Sequence, residues 1–360
     1  MKRYFNTYSV KSGLIISLFL SLPLYLIHFG IDYKFLNSII ILLGLTLFYT
    51  SSNKTIPWIG FFTSILWLWW ISLSFRYYNL TFLIPFIILG IGIFYALIFY
   101  ILTFVKFRIL ILLFFIFGFQ FINPFGFNWF RYDILLPHTY FYISKKPIKP
   151  APLKIKIINT NIAQNKKWDR NFIKNEINNN FKYIQKAINN HYDVVILPET
   201  AFPLPINMYP EIYKNLLKLS KNINIIVGGL DLENNKYYNS TYFINKRNIS
   251  IFHKHILVPF GEYIPIPCCK KLFNKIFFDG AEDFVPAPTF STFQIKGIKF
   301  TNAICYEVTN ENIYKEKPKY IIAISNNAWF APSIEPTLQK LLIEFYSNKY
   351  HKFVYHSTNY

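Results

Sequence analysis

Residues 302–308 read NAICYEV, and what the second part of the chain is depends on how this stretch is read. An apolar run ends at Cys305, directly before Tyr306 and Glu307. A buried structural cysteine is ordinarily followed by more core, and a disulfide cysteine needs a partner at reachable spacing. The other two cysteines of the chain, Cys268 and Cys269, are adjacent; neighbours of that kind rarely close a relaxed bridge, and an odd count leaves at least one thiol over, so no disulfide framework is expected. Cys305 therefore reads either as a small apolar core residue or as a nucleophile at a strand end. The following stretch, TNENIYKE (309–316), reads as helical, which places the thiol where amide dipoles favour a thiolate.

Outward from Cys305, short β-rich runs alternate with helical ones: KIKIINTNI, a helix around 171–190, DVVILPET, a helix around 210–221, NINIIVGGL and KYYNSTYFI. STFQIKGIKFTNAICYE, YIIAISNNAWF and a helix from about 336 to 350 complete the pattern of an α/β domain with a largely buried sheet. Two further run ends deliver polar residues. VVILPETAFP carries Glu199 at a strand's carboxyl end, where open α/β sheets present their sites; its alternative is a solvated loop residue. FHKHILVPFGEYIP carries Lys254, a surface lysine or an oxyanion stabiliser held among carboxylates, and Glu262, which the PFGE turn through Pro259 and Gly261 points back toward the site. His253 and His255 share a strand face, but no further Cys/His cluster completes a coordination set, so no metal is expected. A Glu, a Lys and a Cys at three strand ends supply base, electrostatic stabiliser and nucleophile for acyl transfer.

The chain has 360 residues, of which 53% are hydrophobic and 20% aromatic. That is too apolar for a wholly soluble protein, and the apolar residues crowd the first 130 positions. A membrane region over 1–150 and a catalytic region over 151–360 are expected, divided near ISKKPIKPAPLKIK (143–156), where Pro and Lys cluster. About five helices are predicted, at 13–31, 35–50, 57–75, 80–105 and 109–123, with the second and fifth short for a bilayer core of ~30 Å. The first is an anchor rather than a cleaved leader, because no small-x-small site follows it. With the amino terminus inside, Lys2, Arg3, Lys11, Lys54, Lys106 and Arg108 lie inside and Lys34 and Arg76 outside, which satisfies the positive-inside bias and sends the carboxy-terminal region outside. Net charge is +20. No basic stripe interleaved with stacking aromatics accompanies it, so anionic headgroups are expected as partners and nucleic acid is not. The Asn repeats, such as NNN at 178–180, read as compositional habit.

The order Glu–Lys–Cys and its surroundings resemble the nitrilase superfamily, whose triad lies in an α-β-β-α sandwich. More closely, LPETAFP, KHILVPFGEYIP, AICYE and ISNNAWF are similar to the motifs of the apolipoprotein N-acyltransferase family of bacterial membranes. The resemblance covers residues 153–359 well and the membrane part in kind. It implies Glu199 as general base, Lys254 as transition-state stabiliser and Cys305 as nucleophile, with Glu262, Tyr306 and Glu307 in support. Trp168, in IAQNKKWD, matches a tryptophan of the family's loop after the first strand. No cofactor is implied. A phospholipid is the implied acyl donor, a diacylglyceryl lipoprotein the acceptor, and the inner membrane the location, with the catalytic domain on the periplasmic or outer side. Both substrates carry acyl chains, each methylene of which costs about 0.8 kcal/mol in water, so the site is expected to be fed from the bilayer.

The sequence departs from the family in three ways: a short membrane region, Asn327 in place of an Asp, and a chain that stops at HSTNY. The last predicts a final strand without its hairpin partner, the family's later strands being absent from this sequence. Two other readings stay open: a membrane-tethered amidase releasing ammonia from small amides, and an inactive protein that only binds lipid.

Overall fold

The structure is a computed structural model of the chain, and it describes residues 6–136, 148–246, 248–266, 268, 270–277 and 283–360. Lys2, Arg3, the start of the expected linker (143–147) and Cys269 lie outside the described residues. The chain divides into two compact units, one of residues 1–143 with 332–342, the other of residues 144–331 with 343–360.

Unit one is helical because its sequence offers long apolar stretches that must satisfy their backbone polar groups internally. Its helices are α1 (Thr7–His28), α2 (Lys34–Thr50), α3 (Ile56–Leu68, continued as a 3-10 segment Trp69–Tyr78), α4 (Ile84–Leu102) and α5 (Arg108–Phe117). Among the described residues, three stretches are long and apolar enough to cross a membrane: Thr7–His28, Ile56–Tyr78 and Thr81–Leu102, of 22, 23 and 22 residues. At ~1.5 Å per residue a 22-residue helix reaches about 33 Å. The other two, Lys34–Thr50 and Arg108–Phe121, are shorter apolar helices, as their sequence lengths predict.

Close packing between these helices rests on small residues. The Ser17 hydroxyl donates to the Ile59 carbonyl at 3.1 Å and receives the Thr63 hydroxyl at 3.0 Å. A Cβ on Gly60 would stand 2.5 Å from Phe99. Trp67 and Trp70 are core: their rings meet Phe130 and Trp129.

Unit two is built on ten strands: β1 (Ile155–Ile157), β2 (Val194–Ile196), β3 (Phe202–Pro205), β4 (Asn224–Glu233), β5 (Lys236–Asn245), β6 (Asn248–His253), β7 (Thr292–Ile295), β8 (Ile298–Ile304), β9 (Tyr320–Asn326) and β10 (Phe353–Asn359). They form two sheets, in the order β1-β2-β4-β5-β6 with β3 beside β4, and β10-β9-β8-β7. In the first sheet β1, β2, β3 and β4 run parallel; β4-β5-β6 is an antiparallel meander. In the second, β8, β9 and β10 are parallel and β7 is antiparallel to β8.

The period of two along each strand sorts side chains into two cores. Val194 and Ile196 of β2 and Ile226 of β4 face the second sheet, meeting Phe300, Ile304, Ile322 and Ile324. Val195, Leu197, Ile225 and Val227 face the opposite way. There they meet Ile173, Ile177, Phe181, Ile184 and Ile188 of α6 (Arg170–Asn189) and Leu216 of α7 (Pro210–Leu219). The spacing of those α6 residues is one face of a 3.6-residue helix, and Asp169 caps its start by accepting from the Asn171 N–H at 2.9 Å. A helix α8 (Lys270–Phe277) follows β6, and α9 (Glu335–Tyr350) lies between β9 and β10 in sequence. Tyr346 of α9 is fully buried against Tyr314, rings 5.2 Å apart. The architecture is the α-β-β-α sandwich.

The final strand pairs in parallel with β9 along its whole length. Its last residues are also tied to the loop after β1: Asn359 Oδ1 accepts from the Thr160 hydroxyl and the Ile162 N–H, both at 2.8 Å, and Tyr360 N–H bonds to Thr160.

Candidate active site

Glu199, Lys254 and Cys305 stand at the ends of β2, β6 and β8, and each end is finished by a backbone turn that open strands do not make. The strand pairing of β2 persists through Leu197, whose N–H bonds to Ile226; Pro198 then accepts from Ala201 and Gly228, and Thr200 takes φ +47°. Gly228 makes this turn possible: a Cβ there would lie 2.5 Å from Thr200 N and 2.6 Å from Glu199 Cα, both backbone atoms that cannot swing aside. In the stretch after β6, Phe260 takes φ +59°, and the Glu262 N–H bonds back to Val258 at 2.9 Å. Cys305 itself has φ +52°. Left-handed conformations in non-glycine residues cost of order 1–3 kcal/mol and persist only where their surroundings over-determine them. The sequence puts this turn on Pro259 and Gly261, yet Phe260 is the residue that carries it.

Lys254 is the hub. Only 1% of it is exposed. Its main chain is held on both sides, N–H to Asn239 and carbonyl from Ala287. Its Nζ lies 2.8 Å from Glu262 Oε1 and 3.9 Å from Glu199 Oε1. Burial works against the ammonium, but Glu262, Glu199 and Cys305 outweigh it and hold its pKa above the usual lysine range. Asn239 binds the two carboxylates together, its Nδ2 donating to Oε1 of Glu199 and of Glu262, each at 2.7 Å. The Val258 N–H fixes the other oxygen of Glu262 at 2.7 Å.

Glu307 is a positioning group. It is buried, and its oxygens accept from the N–H groups of His255 (2.6 Å), Ile256 (3.0 Å) and Ile304 (2.6 Å). One carboxylate thus stitches the segment after Lys254 to the residue before Cys305. Burial pushes its carboxyl up to about 7, against the pull of Lys254 and the three N–H donors. Tyr306 is buried beside Cys305, its phenol pKa raised by burial. Trp168 is 42% exposed, next in sequence to the buried Lys167.

The predicted helix after Cys305 is corrected by the structure. Cys305–Thr309 and Glu311–Lys315 are separate 3-10 turns, broken where Asn310 is extended (φ −93°, ψ 129°). The Thr309 hydroxyl bonds to the Tyr306 carbonyl at 2.8 Å, and Asn310 caps the second turn through Asn312. Turns this short carry little macrodipole. Cys305 acts electrostatically on both Lys254 and Lys167.

Lys167 and Asn239 are the site residues that sequence reasoning overlooks. Lys167 sits in a run of lysines that reads as solvated surface, yet its Nζ donates to the Glu199 carbonyl at 2.9 Å. Asn239 had a weak signal, as a polar residue in the middle of a β-rich run. The Asn repeats are more than habit as well: Asn180, the last of the NNN, is fully buried and donates to the Ala201 carbonyl at 2.7 Å. Asn326 joins Gln164 to Asn359, at 2.9 and 2.8 Å.

The histidines flanking Lys254 go separate ways, His253 to the Ser240 hydroxyl and His255 to the Ala287 carbonyl. Among the described residues, ligand-type atoms of Asp231, Glu233 and His253 come within 4.8 Å of one another, without His255.

Residues 7–168 match the family described as apolipoprotein N-acyltransferase integral membrane domain, and residues 164–360 match carbon-nitrogen hydrolase. Curated relatives named apolipoprotein N-acyltransferase include one from Wolinella succinogenes, 35% identical over 99% of this chain and 95% of its own. One from Campylobacter jejuni is 38% identical over 96% and 86%, and one from Helicobacter pylori 33% identical over 90% and 86%. Among solved structures, an amidase from Nesterenkonia sp. is 11% identical, covering 60% of this chain and 79% of that one, with TM-score 0.43. A carbon-nitrogen hydrolase superfamily protein from Xanthomonas campestris is 13% identical, covering 57% and 76%, with TM-score 0.41.

Proposed function

The chain belongs to the apolipoprotein N-acyltransferase family, and we propose that it moves an acyl chain from a phospholipid to the α-amine of a lipoprotein's diacylglyceryl cysteine through a thioester on Cys305. The membrane part is taken as 1–150 and the catalytic part as 151–360. The observation that carries the reading is the buried convergence of Lys254 on Glu199 and Glu262, with Asn239 bridging the carboxylates. Buried charge of this kind is expensive unless it is used or fully paired.

In the first half-reaction Glu199 takes the Cys305 proton and the thiolate attacks the ester carbonyl. Lys254 and a backbone amide hold the oxyanion. The C–O bond then breaks, the leaving alkoxide recovers the proton from Glu199, and a lysophospholipid departs. In the second, Glu199 takes a proton from the attacking amine, the C–N bond forms, the C–S bond breaks, and the proton returns to sulfur. Glu262 holds Lys254 in place through the 2.8 Å contact, and Glu307 and Tyr306 keep the nucleophile's turn in shape. The proposed location is the bacterial inner membrane with the catalytic part on the periplasmic side. With all five apolar helices spanning, the positive-inside charges favour it and the odd count sends the catalytic part outside.

Full-length protein in detergent or nanodiscs, given a labelled phospholipid and a synthetic diacylglyceryl lipopeptide, is expected to deliver label to the peptide's amine with ping-pong kinetics. Ammonia release from simple amides, with no label on the peptide, would favour the amidase reading instead.

A further inference from the structure

Lys167 ends a one-turn helix, Gln164–Lys167, and is directed inward while its neighbour Trp168 stays half-exposed. Only 2% of it meets solvent. Taking an ammonium this far out of water costs several kcal/mol unless anions face it, and an aliphatic chain of like volume fills such a place at no comparable penalty. The titratable groups that act electrostatically on Lys167 are Glu199 at the β2 turn, Glu176 of α6 and Cys305 at the end of β8. Its Nζ donates to the main-chain carbonyl of Glu199, at 2.9 Å. Lys254, by contrast, is already held 2.8 Å from Glu262.

Resting on the acyl-transfer reading above, we propose that Lys167 is a positioning residue for the reaction: it pins the backbone of Glu199 and supplies a second cation for the Cys305 thiolate. When the S–H bond breaks and the proton passes to Glu199, negative charge moves from carboxylate to sulfur. Lys167 faces both ends of that movement and exchanges no proton itself. Burial lowers its pKa to about 8, so the charge it offers is present at neutral pH and lost above that value.

Two variants of the full-length protein separate its two duties. Lys167→Met removes donor and charge; Lys167→Gln keeps a donor for the Glu199 carbonyl and removes only the charge. The readout is the pH profile of iodoacetamide alkylation at Cys305, with kcat and KM for the phospholipid. In both variants the half-plateau of alkylation is expected to move up by about one pH unit, an about tenfold slower reaction at neutral pH. The kcat should fall with it while KM holds, and Lys167→Gln should melt where the unsubstituted protein does. A folded Lys167→Gln protein whose alkylation profile superimposes on the original overturns the proposal. If neither variant folds, the unsubstituted protein decides. Single-turnover thioester formation that declines above about pH 8 supports the proposal, and a profile flat through that pH overturns it. Failure of the underlying acyl-transfer reading looks different, because the unsubstituted protein then forms no thioester at any pH.

Discussion

The two units solve opposite packing problems with one amino-acid vocabulary. The helical unit keeps an aromatic core of Trp67, Trp70, Phe99 and Phe115 but also exposes many large apolar side chains: Phe86 is 67% exposed, and Phe35, Leu42 and Ile101 are exposed with it, while Ser17, Ser21, Thr63 and Ser64 are buried. The sandwich does the reverse with its aliphatic residues, closing Val194, Ile225, Ile226 and Ile322 inside. Yet it also buries Lys254, Lys167, Glu199, Glu262 and Glu307. Lipid gives no hydrophobic drive to helix association, so small residues and hydroxyl pairs set the packing there. In water the aliphatic core supplies the drive, and its surplus can hold a charged cluster that stability alone does not favour.

The largest effect expected on this contrast is at the nucleophile. Cys305→Ala should reduce lipopeptide acylation by at least about three orders of magnitude while leaving the melting temperature in place, because one small group is exchanged for another. Next is Lys254→Met, which strands two buried carboxylates. Breaking a buried pair costs about 3–5 kcal/mol, so both activity and thermal stability should fall together.

Glycine substitutions compare the two units directly. Gly228→Ala drives a methyl into the backbone at Glu199 and should lower kcat along with an about 1–3 kcal/mol loss of stability. Gly60→Ala drives one against Phe99 in the helical unit and should destabilise by a similar amount with KM and kcat unaltered. The solvent test compares the two exteriors: Ile93→Lys, on an exposed face of α4, should cost about 2.5–3.5 kcal/mol of membrane insertion, read as lost yield in the membrane fraction. Tyr183→Lys, at an exposed position of α6, should change stability by less than about 0.5 kcal/mol.

A pH dependence of stability is set by Glu307. Its folded pKa is raised to about 7 from 4.5, so the folded state binds the extra proton and stability from this group declines as pH rises through that window. Glu307→Gln should flatten the melting temperature between those pH values.

Much of this was legible in the sequence because strand ends and periodicities are local. LPET, FHKH and AICYE each break an apolar run with a chemical residue, and the sandwich's alternation is visible in VVIL and NIIV. Lys167 was illegible because a lysine beside another lysine looks solvated until the loop after β1 is seen tied to β10 through Asn359 and Thr160. The helix expected after Cys305 failed for a local reason too: TNENIYKE has helical composition, but Asn310 and the Thr309 hydroxyl divert the backbone into two tight turns. The left-handed backbone at Thr200, Phe260 and Cys305 had no sequence signal, since none is glycine or asparagine.

The central claim is that Cys305 is activated by groups gathered from β2 and β6. The most direct measurement is the intact mass of full-length protein quenched in acid after incubation with a diacyl phospholipid, followed by fragmentation to locate the adduct. The account predicts one acyl chain on Cys305, released by neutral hydroxylamine and absent from Glu199→Gln protein. An unmodified mass, or an acyl chain carried by Cys268 instead, would contradict it.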